Sequence, residues 1–391
     1  MVDSGVMKKF FLVFLIFPFA LFAQVDFSHF DSYQNQLTQK EIQERLDSFA
    51  GRGNDARRYL SITEEALILY NAPAGKVERK IEYELTLAPK AKKQKKVSPR
   101  KSLIGAKVAI DPGHFGGDYA HLEERYIDIP PSLEREDTIQ FDEGTLSFLT
   151  AAYLKILLEK EGAIVMLTRD QVGKGAYREG FFDWLKKHPY LWSGEVALNK
   201  LFRRHYNRLD LRARCEKINA FGPDLSVMIH YNSHAGRDEV SSNHDVVSNN
   251  FNLVFVGGAF CSNELIDPES RYEFFRLLVS DDFSRSVKLS RSILDKFVSK
   301  LKVPVVSAAD GSRYLESVCH EVEPGVYARN LALTRLVHGP ICYGESLVQN
   351  NIDECLNLAR KDFVINGLHC SSRIKEVAEA YFEGIKEYLL D

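Results

Sequence analysis

The stretch KVAIDPGHFGGDYA, Lys107 to Ala120, carries an apolar strand into Asp-Pro-Gly-His and then into a glycine pair. A histidine in so crowded a turn sits where a strand ends, and in open parallel sheets ligands collect at the carboxyl ends of strands, where loops converge. Pro112 fixes the turn and Gly113 lets the backbone bend to aim His114. Gly116 and Gly117 read the same way, since a phosphate cradle would need a Gly-Lys-Ser/Thr ending that is missing here.

Outward from that strand, strands and helices alternate. KVAID is followed by a helix from about Gly144 to Glu161, then AIVMLTR, a helix through LRARCEKINAFG, DLSVMIH, NLVFVGG, a helix near Asp282 to Leu301, GPICYGE and a final helix SRIKEVAEAYFEGIKEYLL. Several strands are continuous apolar runs, as expected when helices cover both faces of a sheet. The fold class is therefore α/β, with a largely parallel central sheet flanked by helices on both faces, over residues 105–391. Residues 26–88 read as a small N-terminal α+β accessory unit: LTQKEIQERLDSFAG is helical in period, and strands flank an Asn-Ala-Pro-Ala-Gly turn. Between them, residues 89–104 form a basic linker, APKAKKQKKVSPRKS, read as a solvated hinge in preference to a tether for an anionic polymer.

The 391 residues are 45% hydrophobic and 27% charged, enough for one large core. A net charge of -3 gives no global attraction to nucleic acid, and none is expected as a partner. From Met7 the chain reads MKKFFLVFLIFPFALFAQ, two lysines, an apolar run and Ala23 before Gln24, so residues 1–23 are expected to be a signal peptide, with an uncleaved anchor as the alternative. The apolar run is too short for a comfortable membrane span, so membrane contact is expected only during export and the location is periplasmic or secreted. The six cysteines show no CxxC pairing, which argues against a zinc finger; most are expected to be buried, with at most one or two pairs bridged.

Three residues of ligand or acid-base type fall at strand ends: His114, His230 closing LSVMIH, and Glu345 closing PICYGE. A catalytic zinc typically takes three protein ligands, and two histidines with one carboxylate is a recurrent set. Glu143, opening the helix EGTLSFLTAAYLKILLEKEG, is a candidate for the carboxylate, favoured there by the helix dipole. Glu123, Glu124, Glu134, Glu136 and Asp142 are its rivals, and spacing alone does not choose among them.

AIDPGHFGGDYA, the helix ending LLEKEGAIVMLTRD, RCEKINAFGPDLSVMIHYNSH and ICYGESLVQNN follow in order the landmarks of a known family. From about Lys107 to the C-terminus the chain resembles the zinc-dependent N-acetylmuramoyl-L-alanine amidases of the Amidase_3 type. The resemblance implies one zinc ion on His114, Glu143 and His230, with Glu143 chosen by its register back from Glu159, and Glu345 as catalytic acid/base. It implies supporting or substrate-binding positions at Arg214, Asn219 and Asn232. It also implies hydrolysis of the bond between N-acetylmuramic acid and L-alanine in peptidoglycan, in cell-wall remodelling or septum splitting.

The chain departs from the family in the long loop from His114 to Glu143, in the segments from Gln171 to Asn207 and from Gly236 to Asn250, and in HYNSH and GESLVQNN. An inserted segment can act as a lid or block the site until an activator protein moves it; surface decoration is the blander reading. The alternatives are a catalytically inactive peptidoglycan-binding or regulatory homologue, and a zinc peptidase acting on stem peptides. HEVE at His320 to Glu323 reads as a solvated loop in preference to a second metal site, and a monomer is the favoured state.

Overall fold

The computed structural model describes residues 25–391 apart from 51–54, 92–98, 132–134, 193, 235–243 and 311. The expected signal peptide, residues 92–98 of the basic linker and the first half of the insert from Gly236 lie outside the described residues.

The N-terminal unit comprises helix α1 (Gln39–Ala50) and a three-stranded antiparallel sheet of β1 (Leu60–Ile62), β2 (Ala66–Tyr70) and β3 (Ile81–Thr86). Thr38 and Glu41 start α1 by reciprocal capping: Thr38 N donates to the Glu41 carboxylate and Glu41 N to Thr38 Oγ1.

The rest is built on β4 (Lys107–Pro112). It is followed by α2 (Ala120–Glu123), a hairpin of β5 (Tyr126–Ile129) and β6 (Ile139–Asp142), α3 (Glu143–Lys160), β7 (Ile164–Leu167), α4 (Phe181–Lys187), α5 (Leu198–Leu201), α6 (Asn207–Phe221), β8 (Leu225–Asn232) and β9 (Leu253–Val256). Then come α7 (Pro268–Val279), α8 (Asp282–Lys296), α9 (Arg313–Val318), β10 (Cys319–Glu323), β11 (Val326–Arg329), α10 (Ala332–Leu336), β12 (Ile341–Val348), α11 (Ile352–Leu358), a short hairpin at 363–370 and α12 (Ser372–Leu390).

The central sheet has seven strands in the order β10-β11-β9-β12-β8-β4-β7. β12, β8, β4 and β7 run parallel, β9 runs antiparallel to β12, and β11 follows β9. Alternate side chains of the parallel strands serve two layers. Val108, Ile110, Val227 and Ile229 pack with α3, α8 and α12, whereas Ala109 and Met228 pack with Cys215 and Ile218 of α6 and Leu333 of α10. All eight residues of β8 are buried, which explains its unbroken apolar reading. α12 lies so close to the sheet that a Cβ on Gly344 would sit 2.1 Å from the Tyr381 hydroxyl, which donates to the Gly344 carbonyl.

The α/β expectation therefore holds. HEVE differs: it is the edge strand β10, paired antiparallel with β11, and no metal cluster forms there among the described residues. Its alternating partial burial belongs to an edge strand with one wet face. All six cysteines are free thiols, four of them buried.

Residues 27–87 do not stand apart from the large sheet. Phe27, Phe30 and Tyr83 form an aromatic cluster with Tyr272 and Phe275 around α7, and a single apolar core runs from Phe27 to Leu389. Arg45 donates to the carbonyls of Leu278, Val279 and Ser280 at the C-terminal end of α7, and Arg271 forks onto Glu82.

Candidate metal centre and active site

β4 ends at Pro112, and the next residues turn sharply enough that His114 takes a left-handed backbone, φ 54°. That conformation is uncommon for a non-glycine residue and needs outside support. Two buried arginines provide it. Arg169 donates to the carbonyls of Pro112, Gly113 and Phe115, and Arg214 to those of Pro112 and His114. Arg214 is itself held by Asp210 at 2.7 Å and Asp111 at 3.5 Å. Four successive carbonyls in the turn are thus satisfied, and the His114 ring is aimed along the sheet edge.

The glycines have specific duties. A Cβ on Gly113 would fall 2.3 to 2.6 Å from three atoms of the His230 ring, so only glycine lets the turn pass. A Cβ on Gly144 would lie 2.2 Å from Gly116 N: the turn after His114 rests directly on the first residues of α3. Asp142 caps that helix by accepting from Thr145 N, which makes Glu143 its first residue and brings its carboxylate to the turn.

Ligand-type atoms of His114, Glu143 and His230 all lie within 4.8 Å of one another. Glu143 Oε1 is 3.3 Å from His114 Nε2 and 3.1 Å from His230 Nδ1. The two imidazoles stand nearly at right angles, with centroids 4.9 Å apart, and the His230 ring stacks on Tyr343 at 4.2 Å. Glu345 lies outside this triad but lines the same cavity of about 360 Å³, together with Arg125, Asn232, Ser233, Tyr314 and Arg329. It pairs with His230 in the register of β12 and β8.

The charges are strongly interdependent. Burial opposes a charge on His114, but Glu143 and Glu123 outweigh it and raise its pKa from 6.5 to about 9. For His230, burial and the neighbouring His114 charge win over the bond to Glu143, and its pKa is lowered. Burial disfavours the Glu143 carboxylate, yet the two histidines hold it well below the usual range. Burial, followed by the Glu143 charge, pushes Glu345 up to about 8.

The donor set suits a divalent cation such as zinc: two imidazoles and a carboxylate converge, and His230 Nε2 is buried with no hydrogen-bond partner. The outer contacts fit as well. Glu123 accepts from Phe115 N at 2.7 Å and sits 3.2 Å from His114 Nδ1, while Gln349 Nε2 reaches Glu143 Oε2 at 3.3 Å.

Of the expected supporting residues, Arg214 clamps the histidine turn. Asn232 lines the cavity. Asn219 is not in it; its amide ties α6 to the carbonyl of Leu336 and accepts from His338 N. Sequence reading named Glu123 only as a rival ligand and did not single out Gln349, Tyr314 or Arg329. Only Gln349 carried a signal, lying four residues past Glu345 in the segment that departs from the family pattern.

The Amidase_3 family profile, described as N-acetylmuramoyl-L-alanine amidase, matches residues 108–386. No protein with a curated description matches the chain. Among solved structures, the CwlD amidase of Clostridioides difficile in complex with the GerS lipoprotein is 17% identical, with a TM-score of 0.40 over 73% of this chain and 98% of that one. Ami1 of Mycobacterium smegmatis is 13% identical, with a TM-score of 0.43 over 74% and 99%. AmiC2 of Nostoc punctiforme, an N-acetylmuramoyl-L-alanine amidase, is 16% identical, with a TM-score of 0.38 over 73% and 98%.

Proposed function

The chain belongs to the Amidase_3 family of N-acetylmuramoyl-L-alanine amidases, and from that premise we propose a zinc-dependent hydrolysis of the amide between N-acetylmuramic acid and L-alanine, with Glu345 as acid/base. The observation that carries the proposal is the convergence of His114, Glu143 and His230 on one centre, with the half-buried Glu345 in the same cavity.

His114, Glu143 and His230 would hold the ion. Zinc so held supplies Lewis-acid polarisation of the substrate carbonyl and makes water a better nucleophile near neutral pH. Glu345 has no hydrogen-bond partner for its buried Oε2, so that oxygen is free to receive a proton from the attacking water. It then passes the proton to the nitrogen of the departing L-alanine, which could not leave as an amide anion. The stacked Tyr343 keeps the His230 ring plane fixed, and the Glu123 and Gln349 contacts orient His114 and Glu143. Export to the cell envelope and an activator protein as partner belong to the same proposal, resting on the leader-like N-terminus and the long segments around the cleft. Among the described residues no helix is long and apolar enough to cross a membrane.

Digestion of purified peptidoglycan, with products read by mass spectrometry, tests the reaction. Free stem peptides beginning at L-alanine, lost on chelation and restored by zinc, are expected. Shortened peptides would mean a peptidase instead, and unchanged material a binding protein. Glu345→Ala should keep the bound metal and lose on the order of a hundredfold to ten-thousandfold in kcat. His114→Ala and His230→Ala should lose both metal and turnover.

A further inference from the structure

One wall of the cavity takes no part in the chemistry above. β11 ends on Arg329, whose guanidinium carbon lies 5.1 Å from the centres of both the Phe255 and Tyr314 rings. Among the described residues this guanidinium has no hydrogen bond and no ion pair. The other arginines nearby are engaged. Arg169 and Arg214 are saturated by the histidine turn, and Arg125 contacts the Glu124 carbonyl and lies 3.8 Å from Glu143. Beside Arg329 in the same cavity stands Asn232, whose Nδ2 is buried without a partner.

A half-buried cation gripped by two aromatic faces keeps its orientation while its planar fork of donors stays available. Such a fork matches a carboxylate, and a bound carboxylate would satisfy it with charge-assisted bonds. We propose that Arg329, with Asn232 and Tyr314, forms a subsite for a carboxylate of the substrate on the leaving-group side of the scissile amide. The inference rests on the amidase reading. Glu345 would hand its proton to the leaving nitrogen, that nitrogen belongs to the stem peptide, and Arg329 lines the same cavity as Glu345, which places the subsite on the leaving-group side. The enzyme therefore distinguishes a stem peptide with a free carboxylate near its first residue from one in which that group is a carboxamide.

The test uses the full-length protein and two muramyl peptides that differ only in whether the residue after L-alanine carries a carboxylate or a carboxamide. The wild-type enzyme should prefer the free acid in kcat/KM by on the order of tenfold or more, mostly through KM. In Arg329→Gln that preference should fall towards one, and Arg329→Lys, which keeps the charge but not the fork, should fall between. Each ratio is taken within one preparation, so a reduced folded fraction cancels. An unchanged preference in Arg329→Gln would overturn the subsite, and so would an equal loss on both substrates with a shifted pH profile, the mark of a residue that only tunes Glu345. Cleavage of both substrates without preference by the wild-type enzyme overturns the subsite alone; cleavage of neither overturns the amidase reading.

Discussion

At the level of single residues, the site depends on side chains that never touch a reacting atom. Glu123 links the His114 ring to the backbone of Phe115, so it fixes both the ring and the turn that presents it. Glu123→Gln is expected to lower metal affinity roughly tenfold to a hundredfold with the fold intact, measurable by competition with a chromophoric chelator. Gly113→Ala should do at least as much harm for a different reason, because its methyl group would displace the His230 ring; circular dichroism unchanged alongside a lost metal ion is the expected pairing. His114, His230 and Glu345 were legible in the sequence because they fall at strand ends, whereas Glu143 was one acid among several until the register of the resembling family singled it out. Glu123 was legible only as one acid among several. Its role comes from a one-turn helix folded back against the strand tip, a tertiary fact without a periodic signature.

Between elements, register does the positioning. His230 and Glu345 are paired residues on adjacent parallel strands, so a ladder of backbone hydrogen bonds sets the offset between the proposed ligand and the proposed acid, independent of any loop. The buried parallel strands announce themselves as apolar runs. The edge pair β10–β11 did not, because one wet face leaves charges in the pattern and HEVE then looks like a loop. A second junction joins α7 to the approach to β12: Glu273 accepts from Arg276 at 2.5 Å and lies 3.1 Å from His338 Nε2. Burial works against the Glu273 carboxylate, but Arg276 and His338 prevail and its pKa is lowered from 4.5. Because the folded value lies below the unfolded one, the stabilisation is present above about pH 4.5 and fades as pH falls through the folded value. Glu273→Gln should therefore cost roughly 1 to 3 kcal/mol near neutral pH, and the gap to wild type should narrow in acid, as read from urea unfolding at several pH values.

Across the whole molecule, the N-terminal unit and the large sheet share apolar core. Composition suggested a small unit beyond a linker, and its helix and strands are where their patterns place them. What composition could not convey is the partner surface: Phe27 and Phe30 complete their packing only against Tyr272 and Phe275. Phe30→Ala is expected to cost about 3 to 5 kcal/mol and to lower a single unfolding transition rather than to release a separate early one, which calorimetry would resolve. The four principal residues come from the ends of three adjacent strands, β4, β8 and β12, and from the start of α3, although they lie far apart along the chain. No short stretch of the chain gathers them, so a partly unfolded molecule would forfeit the proposed ion as well as its shape. Retained metal then serves as an internal certificate of correct assembly, readable without any substrate.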